Sequence, residues 1–597
     1  MGGGGAGDRI VLKSLASVLT NLIHIRETQD HQKVFTHFLL VLVVEIAVFS
    51  ALFHWIMLYE GREYSIITGV YWTFTVMSTL GFGDITFTSD LGRIFSIIVL
   101  VSGIVFFLIL LPFTFIQHFY LPWMERQKKE MVPRRLPDSI RGHVLIAGTN
   151  PIALNLSETL MRYDMKAYLL CSDMQTALQL LSQGYKAVLG EHDDKETYSK
   201  LHAETAASLV VMDTDIRSAN IVFSAHEAAP ELPIVAGVES LEARDILRMA
   251  GCSRCFHFYS LLGEALARRV IHPSHRVSVL GHFGRLVIAE APVMRTPLAG
   301  KTLLESGIRH DTGVSVVGVW ERGAFSLPRP DTTFGRSTVL MVAGTEEQVR
   351  AFNSLLSSTD QDMDARQPAT IIIGGGRVGL AVARSLSRRG INALIVDRKQ
   401  NIDAGSTPVV CGDASDLSLM EKAGIRTTPT IIVTTHDDDA NIYLTIYCRS
   451  LRPDVQIISR ASLDRNVNGL HLAGADLVLS LASLVSATVI NLLSPNRLLM
   501  LNERLSVFRS TVSENLAGMS LARSGIRGNT RCSVLAVHCP DGTSHINPEA
   551  GYVLARGDTI YLIGDNHAQT LYRKYYGIDT DVEAGELRKE PQWKSVV

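Results

Sequence analysis

Residues 64–84, YSIITGVYWTFTVMSTLGFGD, decide the fold of the N-terminal part of the chain. The apolar stretch 64–78 predicts a helix that is too short to cross a bilayer. It runs into Thr79-Leu80-Gly81-Phe82-Gly83-Asp84, where the two glycines permit backbone conformations that other residues avoid. A short helix followed by such a loop is tolerated at membrane depth only where it lines an aqueous path. The segment therefore predicts a re-entrant element that faces a pore.

Two long apolar stretches, 34–58 and 94–116, flank this element. Each is long enough to cross a hydrocarbon core of about 30 Å. Basic residues cluster after the second stretch, which predicts that both termini are cytoplasmic. For the segment 1–33 we expect a cytoplasmic helix, lying either on the inner membrane surface or against neighbouring protein.

The sequence Thr79–Asp84 is similar to the TVGYGD signature of potassium channels, with Leu80 in place of Val and Phe82 in place of Tyr. The alternative is a re-entrant loop of a transporter, which would need many more spans. The resemblance implies that backbone carbonyls and the threonine hydroxyl replace the hydration shell of K⁺. The implied selectivity filter consists of Thr79, Leu80, Gly81, Phe82 and Gly83. Four chains must surround such a filter, so the resemblance implies a homotetramer in the bilayer of the inner cell membrane.

The glycine at position 103 lies 22 residues after Gly81. Its position is similar to that of the gating hinge on the inner helix of calcium-gated bacterial channels. Glycine is also common in membrane helices for packing alone, and that alternative stays open.

Composition limits the possible functions of the chain. Its 597 residues carry 57 basic and 59 acidic side chains, and this balance argues against a nucleic-acid partner. The mean hydropathy of +0.18 reflects an apolar excess concentrated in 34–116. The seven cysteines do not form a disulfide scaffold. Cys252 and Cys255 have CxxC spacing but lack a second pair or a thioredoxin-like context, so we expect ordinary reduced thiols.

The rest of the chain is a tandem repeat. LAGKTLLESGIR at 298–309 recurs as LAGMSLARSGIR at 516–527, and Ala250-Gly251 recurs as Ala473-Gly474. The offsets drift slowly around 220 residues. The sequence therefore predicts two homologous units that differ from each other by small loop insertions.

Each repeat opens as a strand, a glycine turn, a helix and a second strand. In the second repeat, 370–373 and 393–396 are the strands, and Gly374-Gly375-Gly376-Arg377-Val378-Gly379 is a complete GxGxxG motif. The acid at the end of the second strand lies where a ribose hydroxyl is bound, and the helix beginning near Val378 would face the pyrophosphate. The pattern predicts an adenine nucleotide (NAD, ADP or ATP), against the alternative of an empty fold. The predicted ligands are Gly374, Gly376, Gly379 and Asp397.

The first repeat has Gly148, Asn150 and Ala153 at the glycine positions, and Cys171 where the second repeat has Asp397. The loss of two glycines and the ribose acid predicts that this repeat keeps the fold without the nucleotide.

The two repeats are similar to the RCK (KTN) domains of potassium channels and transporters, each with a Rossmann-like N-lobe and a small α+β C-lobe. The implied boundaries are N-lobes at 141–260 and 369–488, C-lobes at 261–358 and 489–577, a pore module at 34–120, a linker at 121–140 and a tail at 578–597. The resemblance implies that Arg377 and Arg460 face phosphates and that Asp413 and Ala414 lie near the adenosine. Arg398 belongs to the same predicted site, and Arg460 could instead form a surface salt bridge.

A metal site is predicted in the first repeat. Asp213 and Glu239 follow adjacent strands, whose ends can bring two carboxylates together as hard ligands for Ca²⁺. They match two of three carboxylates in a calcium-gated relative, and the third position is Gly237 here. The alternative is two solvated acids, and Asp437-Asp438-Asp439 in the second repeat reads as a solvated loop.

The predicted architecture is an all-α membrane module with two spans and a pore helix, followed by two α/β Rossmann-like domains. It resembles a bacterial potassium channel with tandem RCK domains, gated by intracellular nucleotide and Ca²⁺. The rival is a membrane-anchored NAD-dependent oxidoreductase. The rival lacks a catalytic acid or base motif and leaves 79–84 unexplained.

Overall fold

The structure is a computed structural model, and it describes residues 31–121, 123–124, 132–271, 276–322, 324–357, 369–493, 498–502 and 505–577. Most of the predicted N-terminal helix, part of the linker and the tail 578–597 lie outside the described residues. The chain divides into two compact units, Met1–Met131 and Val132–Val597.

The N-terminal unit consists of helices. Its described elements are α1 (His31–Tyr59), α2 (Ile66–Met77), α3 (Asp90–Gly103), a π-helix (Ile104–Leu110), α4 (Leu111–Phe115) and a second π-helix (Ile116–Tyr120). Two helical stretches, Thr36–Tyr59 and Asp90–Phe115, are long and apolar enough to span a membrane. The predicted order of span, short helix and span is therefore present.

The second span begins four residues earlier than the predicted 94–116, because polar groups fix its start. The Ser89 hydroxyl accepts a hydrogen bond from Gly92 N–H (3.2 Å). The Glu60 carboxylate accepts from the backbone N–H groups of Thr88 and Ser89. The Ser89 hydroxyl also donates a hydrogen bond to this carboxylate. That hydrogen bond is the main cause that lowers the pKa of Glu60 to about 2, and the backbone hydrogen bonds add to it. The end of the first span is thus tied to the start of the second.

The short helix α2 is held between the two spans by aromatic packing. It begins at the cap Ser65, whose hydroxyl accepts from Thr68 N–H. The buried Trp72 ring stacks on Phe53 at 4.9 Å and on Phe95 at 5.8 Å. The first ring belongs to α1 and the second to α3, so α2 is braced from both sides.

The C-terminal unit contains four sheets. Strands of the first repeat are β1 (Val144–Ala147), β2 (Ala167–Cys171), β3 (Ala187–Leu189), β4 (Ser208–Val211), β5 (Ile234–Val238), β6 (Arg254–His257), β7 (Ser278–Phe283), β8 (Leu286–Pro292), β9 (Ser315–Glu321), β10 (Ala324–Ser326) and β11 (Thr338–Gly344). Strands of the second repeat are β12 (Thr370–Ile373), β13 (Ala393–Asp397), β14 (Val409–Cys411), β15 (Thr430–Val433), β16 (Gln456–Ala461), β17 (Leu477–Ser480), β18 (Leu498–Asn502), β19 (Leu505–Thr511), β20 (Ser533–His538), β21 (Ser544–Ile546) and β22 (Thr559–Asp565).

Helices cover both parallel sheets and one face of each smaller sheet. In the first repeat they are α5 (Pro151–Arg162), α6 (Met174–Ser182), α7 (Lys195–Lys200), α8 (Asp215–Ala228), α9 (Ala243–Met249), α10 (Phe258–Arg268), α11 (Ile308–Thr312) and α12 (Glu346–Ser357). In the second they are α13 (Arg377–Arg388), α14 (Leu417–Lys422), α15 (Asp438–Leu451), α16 (Val467–Leu472), α17 (Leu481–Leu493), α18 (Ile526–Thr530) and α19 (Asn566–Tyr576).

The sheet orders confirm the repeated Rossmann-like fold. The two six-stranded parallel sheets have the orders β3-β2-β1-β4-β5-β6 and β14-β13-β12-β15-β16-β17, which correspond strand for strand. The two five-stranded antiparallel sheets, β10-β9-β11-β8-β7 and β18-β19-β22-β20-β21, form the smaller lobes. In both parallel sheets the first strand lies near the centre, where chain order reverses, and ligands bind at such switch points.

The two repeats pack on each other through two pairs of helices, each pair with one helix from each repeat. Helix α10 of the first repeat lies against α13 of the second, and Leu262 and Leu266 share a core with Val378 and Val382. Helix α17 of the second repeat lies in the same way on α5 of the first. A Cβ atom at Gly263 would come within 2.5 Å of Ala381 Cβ, so this glycine permits the close approach of α10 and α13. The start of α13 therefore faces residues of the first repeat.

The predicted linker 121–140 is shorter than expected, because its second half belongs to the first repeat. Val132 and Leu136 are buried among the core residues of that lobe. Leu136 N–H also donates to Lys200 O (3.2 Å). Burial of these two apolar side chains stabilises the segment against the sheet, so the lobe begins near residue 132 and not at 141.

Candidate functional site

The predicted filter residues lie together in the loop after α2. Thr79, Gly81 and Gly83 have φ angles of +64°, +48° and +73°, so every second residue is left-handed. Alternation of this kind turns successive peptide groups to one side of the strand. The side chains of Leu80 and Phe82 are exposed in the single chain. The predicted role of these residues as a carbonyl-lined filter stays a prediction.

Contacts from α2 brace the far side of this loop. The Tyr71 hydroxyl donates to Asp84 Oδ2 (3.0 Å), and Trp72 Nε1–H donates to Ile85 O (3.1 Å). The Tyr71 ring also lies parallel to the Phe82 ring at 6.5 Å. The sequence argument did not single out Tyr71 or Trp72. The sequence nevertheless held an indication of their role. Phe82 replaces the tyrosine of the signature and has no hydroxyl to hold the filter loop, so other side chains must hold it.

Gly103, the predicted hinge, is the last residue of α3 and is followed directly by a π-helix. A Cβ atom at this position would lie 2.3 Å from Met77 Cα, so the glycine also permits contact with the end of α2. π-Helical turns frequently occur at functional sites. The close contact with Met77 supports the packing role, and the gating hinge stays a prediction.

The glycine loop of the second repeat joins β12 to α13. Gly374 has φ of +104°, and a Cβ atom at Gly379 would lie 1.9 Å from Gly374 O, so both glycines are needed for the turn itself. Gly376 is different, because a Cβ atom there would meet nothing within 4 Å. Gly376 precedes α13 and provides no side-chain cap for it. No side chain caps the first backbone N–H groups of α13, and uncapped N–H groups at a helix start are the kind of donor that binds phosphate. The predicted nucleotide site at this loop stays a prediction.

The predicted ribose acid lies beside this loop. Asp397 Oδ2 accepts from Gly375 N–H (2.6 Å), and Oδ1 accepts from Lys399 N–H (2.8 Å). Each carboxylate oxygen has a second lone pair for a ribose hydroxyl. The next strand end carries Asp413, which pairs with Arg398 (2.8 Å). Hydrogen bonds from Ser415, and then the charge of Arg398, lower the pKa of Asp413. Ala414, beside it, is buried.

A side chain of the first repeat holds one predicted phosphate ligand. Arg377 Nη1 donates to Glu239 Oε2 (2.8 Å), and the Arg377 guanidinium lies over the Tyr259 ring at 4.4 Å. The hydrogen bond to Glu239 raises the pKa of Arg377. Glu239 itself is positioned by its backbone, because its N–H donates to Asp215 (2.8 Å) and its carbonyl accepts from His257 (2.8 Å). Sequence reasoning missed Tyr259, which carries no local motif and reaches the site only because α10 packs on α13.

Arg460 lies on β16 at the inner side of the same region. It donates to Ser462 Oγ (2.9 Å), while its Nε is buried without a hydrogen-bond partner. Burial lowers the pKa of Arg460. Among the described residues Arg460 forms no salt bridge, so the alternative of a surface salt bridge is not supported. An unpartnered buried guanidinium nitrogen fits an anionic ligand.

The prediction that Asp437-Asp438-Asp439 forms a solvated loop is wrong for Asp438, which is buried, whereas Asp437 is exposed. Asp437 caps α15 by accepting from Asp439 N–H (2.9 Å). Asp438 is buried and accepts from Ser462 N–H, Leu463 N–H and Asn466 Nδ2. The run is therefore the start of a helix that fixes the loop after Arg460.

The matching loop of the first repeat is closed by its own side chain. Asn150 Oδ1 accepts from Ala153 N–H (2.9 Å), and its Nδ2 donates to Met212 O (2.8 Å). The helix N-terminus that would bind phosphate is thus capped from within. Cys171 is buried, and burial raises its pKa to about 11. The sequence held a signal for this cap, since Asn-Pro at 150–151 is typical of a helix start.

The two predicted calcium ligands have other partners. Asp213 lies 4.0 Å from Arg217, and Glu239 pairs with Arg377. No group of three or more His, Cys, Asp or Glu that could hold a metal ion occurs within the described residues. The calcium site stays a prediction that rests on two carboxylates.

Comparison with known protein families matches three regions of the chain. Residues 41–117 match the ion channel model, 144–257 and 370–481 match the TrkA-N domain, and 288–357 match the TrkA-C domain. Potassium channel protein 1 of Methanocaldococcus jannaschii is 25% identical over 328 residues, which is 52% of this chain and 94% of that protein.

Two solved structures are similar over most of their length. The GsuK channel bound to NAD is 36% identical with a TM-score of 0.55, and the match covers 92% of this chain and 99% of that one. The GsuK RCK domain is 34% identical with a TM-score of 0.54, covering 76% of this chain and 99% of that one. These matches support an ion channel over the oxidoreductase alternative. The chain belongs to the family of two-span potassium channels with RCK regulatory domains.

Proposed function

We propose that this chain is the subunit of a homotetrameric, potassium-selective channel of the inner cell membrane, with both termini cytoplasmic. K⁺ passes through a filter formed by Thr79, Leu80, Gly81, Phe82 and Gly83. An adenine nucleotide, NAD or ADP/ATP, binds the second repeat and regulates opening.

One contrast carries the proposal for the nucleotide. Helix α13 has no side-chain cap and open space at Gly376, whereas Asn150 fills the same place at α5. A helix N-terminus with free N–H groups attracts a pyrophosphate. The second repeat has such a site and the first has closed it, so one nucleotide per chain is expected.

The surrounding residues supply the rest of the binding chemistry. Asp397 accepts from the ribose hydroxyls, and Asp413 and Ala414 lie near the adenosine. Arg377, Arg398 and Arg460 contribute positive charge, and the buried Nε of Arg460 gains a partner. The GsuK channel bound to NAD supports this assignment by its similarity to the chain. The nucleotide serves as a regulatory ligand, and we propose no enzymatic step for it.

Ligand binding shifts gating only by its differential affinity for open and closed states. The ion pair between Arg377 and Glu239 is a physical basis for a difference in nucleotide affinity between the two states. A phosphate that recruits Arg377 must compete with Glu239, which belongs to the other repeat. The contacts between the repeats therefore differ between ligand-free and ligand-bound protein. The change would reach the second span through the segment that precedes Val132.

The test is Rb⁺ uptake by the full-length protein in liposomes, with NAD⁺, NADH, ADP and ATP supplied in turn, together with calorimetric binding. We expect Rb⁺ and K⁺ to permeate far better than Na⁺, and Gly376→Val to abolish nucleotide binding and its effect on flux while leaving ion selectivity unchanged. Gly528 also has open space around it and lies outside the loop, so Gly528→Val is the matched control. Equal Na⁺ and K⁺ flux would refute the filter assignment. Nucleotide binding that survives Gly376→Val would refute the site.

A further inference from the structure

Two cysteines of the first repeat lie in contact, Cys252 in the turn after α9 and Cys255 in β6. The Sγ atoms of Cys252 and Cys255 are 3.0 Å apart, and both residues are free thiols. Cys252 is buried, whereas Cys255 is partly exposed. Gly251, with φ of +110°, forms the turn that brings them together, and a Cβ atom there would lie 2.5 Å from the His226 ring. The turn is therefore fixed against α8.

The two sulfurs differ in their electrostatic surroundings. The hydrogen bond with the Cys252 thiol, and then the charges of Arg248 and Arg244, lower the pKa of Cys255. The same hydrogen bond and burial raise the pKa of Cys252. By contrast, burial raises the pKa of Cys448 to about 12 and that of Cys532 to about 11. The thiolate is the reactive form, so the accessible member of the pair is the one prepared for attack.

We propose that Cys252 and Cys255 are a reversible redox site that closes to a disulfide within the first repeat. The oxidant is a low-molecular-weight disulfide, R–S–S–R. The Cys255 thiolate attacks one sulfur of R–S–S–R, forms a mixed disulfide and expels one RS⁻, which takes up a proton. The Cys252 sulfur, on losing its proton, then attacks Cys255 Sγ and expels the second RS⁻. Two electrons pass from the two cysteines to the reagent, which leaves as two thiols.

The geometry favours closure within the turn over the other outcomes for a CxxC pair. A disulfide sulfur–sulfur bond is about 2.05 Å, so the atoms have to approach by only about 1 Å. A structural zinc site would require two more ligands. The described residues place no such His, Cys, Asp or Glu group around the pair.

The test uses the purified full-length protein equilibrated with mixtures of reduced and oxidised glutathione, followed by acid quench, alkylation and trypsin digestion. Arg254 separates the two cysteines, so cleavage after it places them on different peptides, 249–254 and 255–268. A disulfide joins these peptides and gives a linked mass that reduction removes. We expect the linked peptide to replace both alkylated peptides together as the mixture becomes more oxidising.

Two variants serve as controls. Cys255→Ser should lower the linked product at least tenfold and leave Cys252 alkylated. Cys411→Ser removes the exposed cysteine of the second repeat and should leave the linked product unchanged. The proposal is overturned if both cysteines stay alkylated in the most oxidising mixture. It is also overturned if Cys255 stops at the mixed disulfide with glutathione, or if the link joins Cys255 to another cysteine.

Discussion

Replacing Glu239 by Gln should strengthen nucleotide binding at the second repeat. In the ligand-free protein the Glu239 carboxylate holds Arg377 at 2.8 Å, with the two side chains 42% and 62% exposed. Exposed ion pairs are worth about 0.2–1 kcal/mol, and the Tyr259 ring beneath the guanidinium places this pair near the upper end. A phosphate that recruits Arg377 no longer has to break the pair in the variant. The gain of about 1 kcal/mol corresponds to a roughly fivefold lower Kd.

The measurement is a calorimetric titration of the full-length protein in detergent with each adenine nucleotide, at low and high salt. The difference between wild type and variant should shrink at high salt, because screening weakens exposed charges. Glu264→Gln is the matched control, since Glu264 pairs with Arg388 at 2.7 Å and also links the first repeat to α13, but away from the glycine loop. We expect the control to bind nucleotide like wild type.

An unchanged or higher Kd for Glu239→Gln would refute the reasoning. An unchanged Kd would mean that Arg377 does not meet the phosphates. A higher Kd would mean that Glu239 contacts the nucleotide itself. Arg377→Ala separates the two outcomes, because it weakens binding only if the guanidinium contacts the ligand.

Four further variants test other parts of the structure. Gly81→Ala should abolish Rb⁺ uptake, because a side chain at φ of +48° costs about 1–2 kcal/mol and disturbs the filter; uptake at the wild-type rate would contradict this. Gly103→Ala should lower the thermal midpoint of the detergent-solubilised protein, because its Cβ would lie 2.3 Å from Met77 Cα; an unchanged midpoint would exclude the packing role. Asn150→Ala should lower the free energy of unfolding by about 1 kcal/mol through loss of the α5 cap without creating a second nucleotide site, and calorimetric stoichiometry checks the latter. If Ca²⁺ binds Asp213 and Glu239, it should release Arg377 and strengthen nucleotide binding in wild type; the same effect in Asp213→Ala would exclude that site.

Sequence patterns predicted those parts of the fold that depend on neighbouring residues, namely the membrane spans and the duplicated parallel sheet. The spans follow from uninterrupted apolar length. The duplicated sheet follows from two strand–glycine–helix patterns, and the comparisons confirm this fold. Boundaries were less accurate. Ser89 and Glu60 start the second span at Asp90, and buried Val132 and Leu136 extend the first lobe backward. Helix caps and tertiary packing determine where these elements begin, and the pattern of apolar residues contains no information about either.

The candidate site was predicted only in part, because it is assembled from both repeats. Sequence reasoning gave Arg377 to a phosphate and Glu239 to calcium, yet these side chains, 138 residues apart, form one ion pair. No spacing rule predicts that contact, since it depends on α10 lying on α13. Asp438 likewise read as a solvated acid, but its carboxylate is enclosed by the loop after β16. The glycines and the arginines of the candidate site were predicted, whereas the contact of Arg377 with Glu239 and Tyr259 of the first repeat was not.

The Asn150 cap has a consequence for how the protein would measure nucleotide. Under the proposed assignment the Asn150 side chain replaces a ligand in the first repeat, so the conformation of that repeat would not change with the nucleotide concentration. Each chain then has one repeat that responds and one that serves as a fixed reference against which the other moves. A single nucleotide site per chain would give a dose–response with one affinity per chain, and its steepness would then depend on coupling between chains rather than on coupling within one.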